Sequence, residues 1–269
     1  MKSNQTINPD RAAPLPLVSV VIVTYKRLER LCETYWSLRS VCRYPNLERI
    51  VCDDGSPPAI QQKIRELPFD KYLLSERNQG MGANTNKGLV AASGEFILQL
   101  QDDWKCCEQS NFIESSIELM RERADVSMVQ LWRAANFTYP SEYHISTSGK
   151  KARIFMDYPG MVNEGTGFYI YSDRPHVKRS TVMRSVGLYS ESIRSVLEVE
   201  EEYCRRFEQC ADQRVAIIEG LGNVFVHTGE QESFNRQQRR ENVRKFLRTH
   251  PLLKYPWDIY VRLRYGRRS

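Results

Sequence analysis

No part of this chain is apolar for long. The longest such run, Leu17–Val23, is interrupted by Ser19 and falls far short of the roughly 20 residues that span a membrane. The opening MKSNQTINPDR has no apolar segment, so no secretory signal is expected. Cysteine is scarce and unpatterned: Cys32, Cys42, Cys52, Cys106, Cys107, Cys204 and Cys210 include no C-x-x-C spacing, which argues against both a disulfide ladder and a zinc cluster. A reduced, soluble, cytoplasmic protein is the expectation. Missing too are the Walker loop, the G-x-G-x-x-G fingerprint and the G-x-S-x-G elbow, which speaks against an NTPase, a dehydrogenase and a serine hydrolase. Glycine (14) and proline (12) are too few for a fibrous or low-complexity chain, and 41% hydrophobic with 27% charged residues is ordinary for a globular one. A chain of 269 residues buries on the order of three quarters of its unfolded surface without any staple.

Charge is unevenly spread. From Arg236 to Ser269, 11 Lys and Arg stand against Glu241 and Asp258, a local +9 that leaves −3 for the other 235 residues of a chain with net +6. Such a tail is either a solvated extension or a site for a negatively charged partner, such as membrane headgroups, a lipid phosphate or nucleic acid. Beyond Pro251 it reads LLKYPWDIYVRLRYGRRS, in which Trp257, Ile259, Tyr260, Val261, Leu263 and Tyr265 interleave with arginines. That pattern suits a headgroup boundary and equally a C-terminal helix packed on the domain. Nucleic acid is disfavoured, because no recognition motif accompanies the charge.

The hydrophobic pattern predicts an α/β fold. Leu17–Val23, Glu48–Cys52, Lys71–Leu74 and Glu95–Gln101 read as strands, the first without polar alternation, as a strand covered on both faces requires. Between and after them Leu28–Val41, Ile60–Leu67, Asn84–Ala92 and Asn111–Glu122 read as helices, and the alternation implies a mostly parallel sheet flanked by helices. The second half is mixed, with strands near Val126–Leu131, Gly167–Tyr171 and Asn223–His227, a helix around Leu197–Cys210, and an irregular, substrate-facing segment over Pro140–Pro159. The predicted organisation is a lead (1–16), one domain (17–235) with halves 17–110 and 111–235, and a basic extension (236–269).

Ligands of open α/β sheets bind outside the carboxyl ends of the strands. There the sequence places Thr24-Tyr25, Asp53-Asp54-Gly55-Ser56 and Gln101-Asp102-Asp103. One acidic turn is commonplace; three polar strand ends in register are not. Asp102 and Asp103 repel each other unless a cation or strong donors gather there, and oxygen-only ligands favour Mg²⁺ or Mn²⁺, ions that commonly bridge phosphates. The loop Asn78-Gln79-Gly80-Met81-Gly82 leads into a helix whose first N–H groups suit a nucleotide.

Taken together, VSVVIVTYKR, VCDDGS, NQGMGANTNKG and SGEFILQLQDDW, in that order over about residues 17–110, resemble the nucleotide-sugar half of the inverting family-2 glycosyltransferases of GT-A fold. The resemblance implies that Thr24 and Tyr25 line the nucleoside pocket with Arg27 beside them, and that Asp54 accepts from the base. It implies further that Asp102 faces the ribose or the metal and that Asp103 holds Mn²⁺ or Mg²⁺ on the diphosphate. Gln101 departs from the family, standing where an acid is usual. Over residues 163–228 the match is looser. VGLYSESIRSVLEVEEEYCRRF is similar to the segment carrying the catalytic base, and setting Arg206 on the family's arginine puts Glu200 on that base. Glu201, Glu202 and Glu198 remain rivals, although Glu200 shares a helix face with Tyr203, Cys204 and Phe207. His227, after VFV, is either structural or, by the resemblance, a reach of imidazole to the metal or diphosphate.

Inversion at an anomeric carbon needs a carboxylate to take the acceptor's proton and positive charge to stabilise the departing diphosphate. The expected function is therefore a non-processive, metal-dependent inverting glycosyltransferase that uses a nucleotide-diphospho-sugar and a saccharide or lipid-linked acceptor in cell-surface glycan assembly. Many enzymes of this family act at the cytoplasmic leaflet, so the resemblance favours a peripheral membrane role for the tail. Gln237-Gln238-Arg239-Arg240 has the spacing of processive relatives, but Glu241 replaces the tryptophan. Two alternatives remain at this point: a sugar nucleotidyltransferase, which normally carries a G-x-G-x-R loop where TYKR stands, and a non-catalytic sugar-nucleotide or anion-binding module.

Overall fold

The structure, a computed structural model, describes residues 14–107, 111–131, 140–156, 171–193, 195–210, 212–221 and 224–229. The chain divides into two units, Met1–Val226 and His227–Ser269, the second described only at 227–229. The basic extension 236–269 therefore lies outside the described residues.

In the first half, strands β1 (Val18–Thr24), β2 (Leu47–Asp53), β3 (Lys71–Leu74) and β4 (Phe96–Gln101) alternate with helices α1 (Leu28–Val41), α2 (Pro58–Arg65) and α3 (Met81–Ala91). After β4 come a short β5 (Trp104–Cys106), α4 (Phe112–Glu122) and β6 (Val126–Gln130), then β7 (Ser141–Ile145) and β8 (Lys151–Phe155). The remaining elements are β9 (His176–Arg179), α5 (Val182–Ser185), α6 (Val196–Glu208), β10 (Arg214–Ile218) and β11 (Phe225–His227).

Among the described residues nine strands form one sheet, ordered β3-β2-β1-β4-β9-β6-β10-β8-β7, and β11 pairs with β5 in a separate ribbon. Only β8 and β9 run against the others, as the antiparallel pairings β4–β9, β9–β6, β10–β8 and β8–β7 require. This is the mostly parallel α/β sheet that the sequence predicts. Successive residues of β1 serve opposite layers, as the two-residue period of a strand demands. Val18, Val20 and Ile22 face Leu31, Tyr35 and Leu38 of α1 and Phe112 and Ile117 of α4. Val21 faces Leu89 of α3 and, with Ile97 and Met128, the layer holding Val199, Tyr203 and Phe207 of α6.

The second half corrects the sequence reading in two places. Pro140–Pro159 was expected to be irregular; its described part, 140–156, holds the β7–β8 hairpin, with Ser141 opposite Phe155 and Ile145 opposite Lys151. Polar residues hide this hairpin, because β7 is the sheet's edge and half of its side chains meet water. Its turn depends on Gly149, whose φ of 79° suits a residue without a Cβ. Strand β9 (HVKR) was likewise unexpected, since a histidine and a lysine read as surface; in the sheet interior both are fully buried. The strand expected over Gly167–Tyr171 lies outside the described residues except Tyr171, which sits in a bend.

Helix α3 approaches the sheet closely. A Cβ on Gly88 would fall 2.5 Å from Cys52 Sγ and 2.6 Å from Val21 Cγ1, so α3 reaches β1 and β2 only because that position is bare. Gly88→Ala is expected to lower unfolding free energy by about 1–3 kcal/mol through overpacking. Urea denaturation tests this, and wild-type stability would mean the contact is looser than described.

Candidate active site

The C-terminal ends of β2, β1 and β4 lie side by side, with Thr24 opposite Asp53 and Val23 opposite Gln101. The polar residues that follow each strand thus meet at one edge. Asp102 is at its centre and fully buried. Its Oδ2 accepts from Thr24 Oγ1 at 2.7 Å, its Oδ1 pairs with Arg27 at 2.9 Å, and its carbonyl accepts from Thr34 Oγ1 at 2.8 Å. Arg27 also bridges to Asp103 Oδ2 at 2.8 Å, its side chain 46% exposed at the rim. Burial pushes the Asp102 carboxyl up to about 6, with Arg27 and the Thr24 hydroxyl pulling the other way and Asp103 adding to the rise. Lys26, with φ of 59°, turns the chain between β1 and α1, and its N–H is held by Ser56 Oγ at 2.7 Å. Tyr25 is half-buried beside it, its ring 4.8 Å from the Lys26 ammonium.

The second strand end is a pair of locks. Asp53 accepts from Ser56 N (2.8 Å), Ser56 Oγ (2.5 Å) and Gln61 Nε2 (2.8 Å). Asp54 accepts from Asn78 Nδ2 (2.7 Å), Gln79 N (2.7 Å) and Gly80 N (3.1 Å). As placed, the acid expected to read the base holds the 78–80 loop. Gly80 carries a φ of 99° before α3, whereas Gly82 lies against the protein: a Cβ there would stand 2.2 Å from the Ser190 carbonyl oxygen.

Helix α6 opens on Ser195, whose side chain caps Glu198 N. Its acids are not equivalent. Glu201 pairs with Arg205 at 3.8 Å and Glu202 with Arg206 at 2.6 Å, both one turn along the helix, while Glu198 is exposed. Glu200 turns inward, accepting from Ser172 Oγ at 3.1 Å and Asp173 N at 3.0 Å. Arg206 further holds the preceding loop through Val186 O (2.8 Å) and Leu188 O (2.7 Å). His227 ends β11 and begins the second unit, so its metal role rests on sequence alone.

For a divalent cation the site offers two adjacent carboxylates, already bridged by one positive charge, the Arg27 guanidinium. Among the described residues no group of three or more His, Cys, Asp or Glu gathers. Asp102 and Asp103 are the carboxylates that could hold a hard cation here.

Several residues that build the site belong to the NQGMGANTNKG motif, whose pattern assigns them no individual roles. Asn84 Nδ2 reaches Cys52 O (3.1 Å) and Thr24 O (3.4 Å), and Lys87 Nζ reaches Asp53 O (2.6 Å). Asn86 bonds Tyr189 through both backbone groups, each at 2.9 Å. They lie on α3, where only the neighbouring chain explains them.

Residues 19–178 match the model of glycosyl transferase family 2. The protein named glycosyltransferase EpsH of Bacillus subtilis (strain 168) is 35% identical over 101 residues, 35% of this chain and 29% of its own. The GalNAc(5)-diNAcBac-PP-undecaprenol beta-1,3-glucosyltransferase of Campylobacter jejuni is 35% identical over 94 residues, 33% of this chain and 30% of its own. The chain thus spans under a third of the length of these two relatives. The crystal structure of S. aureus TarS 1-349 in complex with UDP-GlcNAc shares the fold with a TM-score of 0.56 at 17% identity, over 76% of this chain and 56% of that one.

The Asp102 carboxyl gives a signed test. Its folded value near 6 lies above the ordinary value near 3.9, so the folded state binds that proton more tightly and the group's contribution to stability declines as pH rises from about 4 to 6. Asp102→Asn removes this titration. Its stability relative to wild type, from denaturation at pH 4 and pH 7.5, is expected to be higher at the upper pH. A difference independent of pH would show that Asp102 titrates normally.

Proposed function

Because the chain belongs to glycosyl transferase family 2, we propose that it transfers a sugar from a nucleoside-diphosphate donor to an acceptor hydroxyl with inversion, non-processively, in cell-surface polysaccharide assembly. The observation that carries this reading is the Arg27–Asp102–Asp103 cluster at the end of β4, with Glu200 the acid of α6 that turns inward. Gln99 on β4 reaches the Asp173 side chain, and the Asp173 N–H reaches Glu200, so a chain of contacts joins β4, which leads into Asp102, to Glu200.

In this mechanism Glu200 takes the proton from the acceptor hydroxyl as the oxygen attacks the anomeric carbon and the nucleoside diphosphate departs from the opposite face. Thr24 and Asp102 face the nucleoside side, with Tyr25 beside them. Arg27 is half exposed and moves from the carboxylates onto diphosphate oxygens, offsetting the charge that gathers there. Asp102 and Asp103 would hold Mg²⁺ or Mn²⁺, which would supply Lewis-acid stabilisation of the leaving group. Glu200 and the cation cluster together favour an enzyme over a binding module.

A uridine diphosphate sugar is the first donor to test, since TarS has been crystallised with UDP and with UDP-GlcNAc. The Campylobacter relative, named for an undecaprenol-linked acceptor, supports a lipid-linked or saccharide acceptor; the cytoplasmic leaflet is the setting that the family resemblance favours. No helix among the described residues is long and apolar enough to cross a membrane, so attachment to that leaflet would fall to the basic extension.

Three measurements test these readings. In a thermal-shift screen of UDP-, GDP-, dTDP- and CMP-sugars with Mn²⁺, Mg²⁺ or EDTA, one donor class should stabilise the protein, by about 2.7 kcal/mol at 100 times its Kd. Asp103→Ala should lose the cation-dependent part of that shift. Glu200→Gln should keep the shift but lose roughly 10²–10⁴-fold in transfer; full activity in that variant would remove Glu200 from the chemistry. Separately, the full chain should sediment with phosphatidylglycerol vesicles at low salt, less so as salt rises, and not after truncation at Pro251. Full-length protein left in the supernatant at low ionic strength would exclude the membrane role.

A further inference from the structure

A buried polar cluster behind Glu200 takes no part in the chemistry above. Oε1 of Glu200 accepts both the Ser172 hydroxyl and the Asp173 N–H, and Oε2 accepts from none of the described residues. The Asp173 side chain is itself 2% exposed. Its Oδ1 accepts from Tyr189 OH at 2.5 Å, and from Gln99 Nε2 and Tyr171 OH at 3.3 Å each, while Oδ2 has no partner among the described residues. Gln99 Oε1 in turn accepts from Lys178 Nζ at 2.7 Å, and that ammonium lies 5.9 Å from the ring centres of Tyr171, Tyr189 and Tyr203. Asn86 of α3 grips Tyr189 from the donor side.

We propose that Ser172 and Asp173 are positioning residues for Glu200: the hydroxyl and the peptide N–H pin one carboxylate oxygen and present the other to the acceptor, while the buried Asp173 side chain anchors that peptide. The proposal rests on the reading of Glu200 as the base. A carboxylate free to rotate exchanges its two oxygens, whereas two donors on Oε1 fix which lone pair receives the proton. An acid, an amide and a lysine in the sheet interior are costly when imperfectly paired, and an apolar scaffold would hold the peptide at lower cost. What the polar cluster adds is direction at Glu200. Burial, reinforced by the Glu200 charge, raises the affinity of Asp173 for a proton, and burial lowers that of Lys178. The titratable groups around the pair are Tyr171 on the adjoining bend, His176 and Lys178 on β9, Tyr189 on the loop against α3, and Tyr203 and Cys204 on α6.

The test reads Glu200 itself. In protein labelled with ¹³C at glutamate side-chain carboxyls, the Glu200 signal is identified by its loss in Glu200→Gln, and its midpoint is followed by NMR against pH. Ser172→Ala removes a donor to the charged form, so the midpoint should rise, and Ser172→Thr should restore it. Asp173→Asn keeps the N–H but disturbs the acceptor that anchors its peptide on Tyr189 and Gln99, so it should lose transfer at unchanged donor KM, as Ser172→Ala does. With the donor found by the thermal-shift screen, Ser172→Ala should lose about tenfold in kcat at unchanged donor KM. An unmoved midpoint and an unchanged kcat in Ser172→Ala would overturn the proposal; should Asp173→Asn not fold, the Ser172 pair decides alone. Full turnover by Glu200→Gln would instead refute the assignment of the base, whatever the midpoints do.

Discussion

Burial of one carboxylate organises the donor end of this molecule. Asp102 leaves water at the end of β4, and an ionised group there is tolerated only with partners. The carboxylate's side-chain partners are Thr24 at the end of β1 and Arg27 just before α1, and Thr34 within α1 holds the Asp102 carbonyl. The β1–α1 crossover is therefore fixed by its role as a cradle as much as by the apolar face of α1. The price is a carboxyl that protonates more readily than usual, and a site in which Arg27 supplies the positive charge that two adjacent acids require.

The second constraint is the seam along α3. Six positions of this helix are buried, five of them glycine or polar. Small or amide side chains there let backbone approach backbone: Gly88 against β1 and β2, Gly82 against Ser190, Asn84 against the ends of β1 and β2, and Asn86 against Tyr189. The same helix thereby carries the end of the glycine loop held by Asp54 and the chain leading to α6. Movement of the loop after donor binding would be felt at Tyr189, and Tyr189 touches the aspartate whose peptide holds Glu200.

Much of the first half was legible in the sequence. The strands β1 to β4 and their helices follow from apolar period alone, because both faces of the sheet are covered and β-branched runs have no other use. The edge strand β7 and the buried β9 were not legible. In the first, solvent on one side dilutes the apolar pattern; in the second, His176 and Lys178 are buried against type, with Lys178 held by Gln99. Among Glu198, Glu200, Glu201 and Glu202 of α6, helical geometry marked Glu200 as the one sharing a face with Tyr203 and Phe207. What it could not supply were the partners that separate it from Glu201 and Glu202, since those ion pairs depend on rotamers of Arg205 and Arg206.

By itself, then, the sequence determined the α/β alternation, the three polar strand ends that meet at one edge, and the family to which their motifs belong, because these are properties of local pattern and strand order. The tertiary structure alone decided that Asp54 grips the 78–80 loop, that Gly82 serves the contact with Ser190, and that Asp173, Gln99 and Lys178 form a buried chain behind Glu200. Each of these joins residues between 24 and about 110 positions apart, and which oxygen meets which donor is set only when the layers pack.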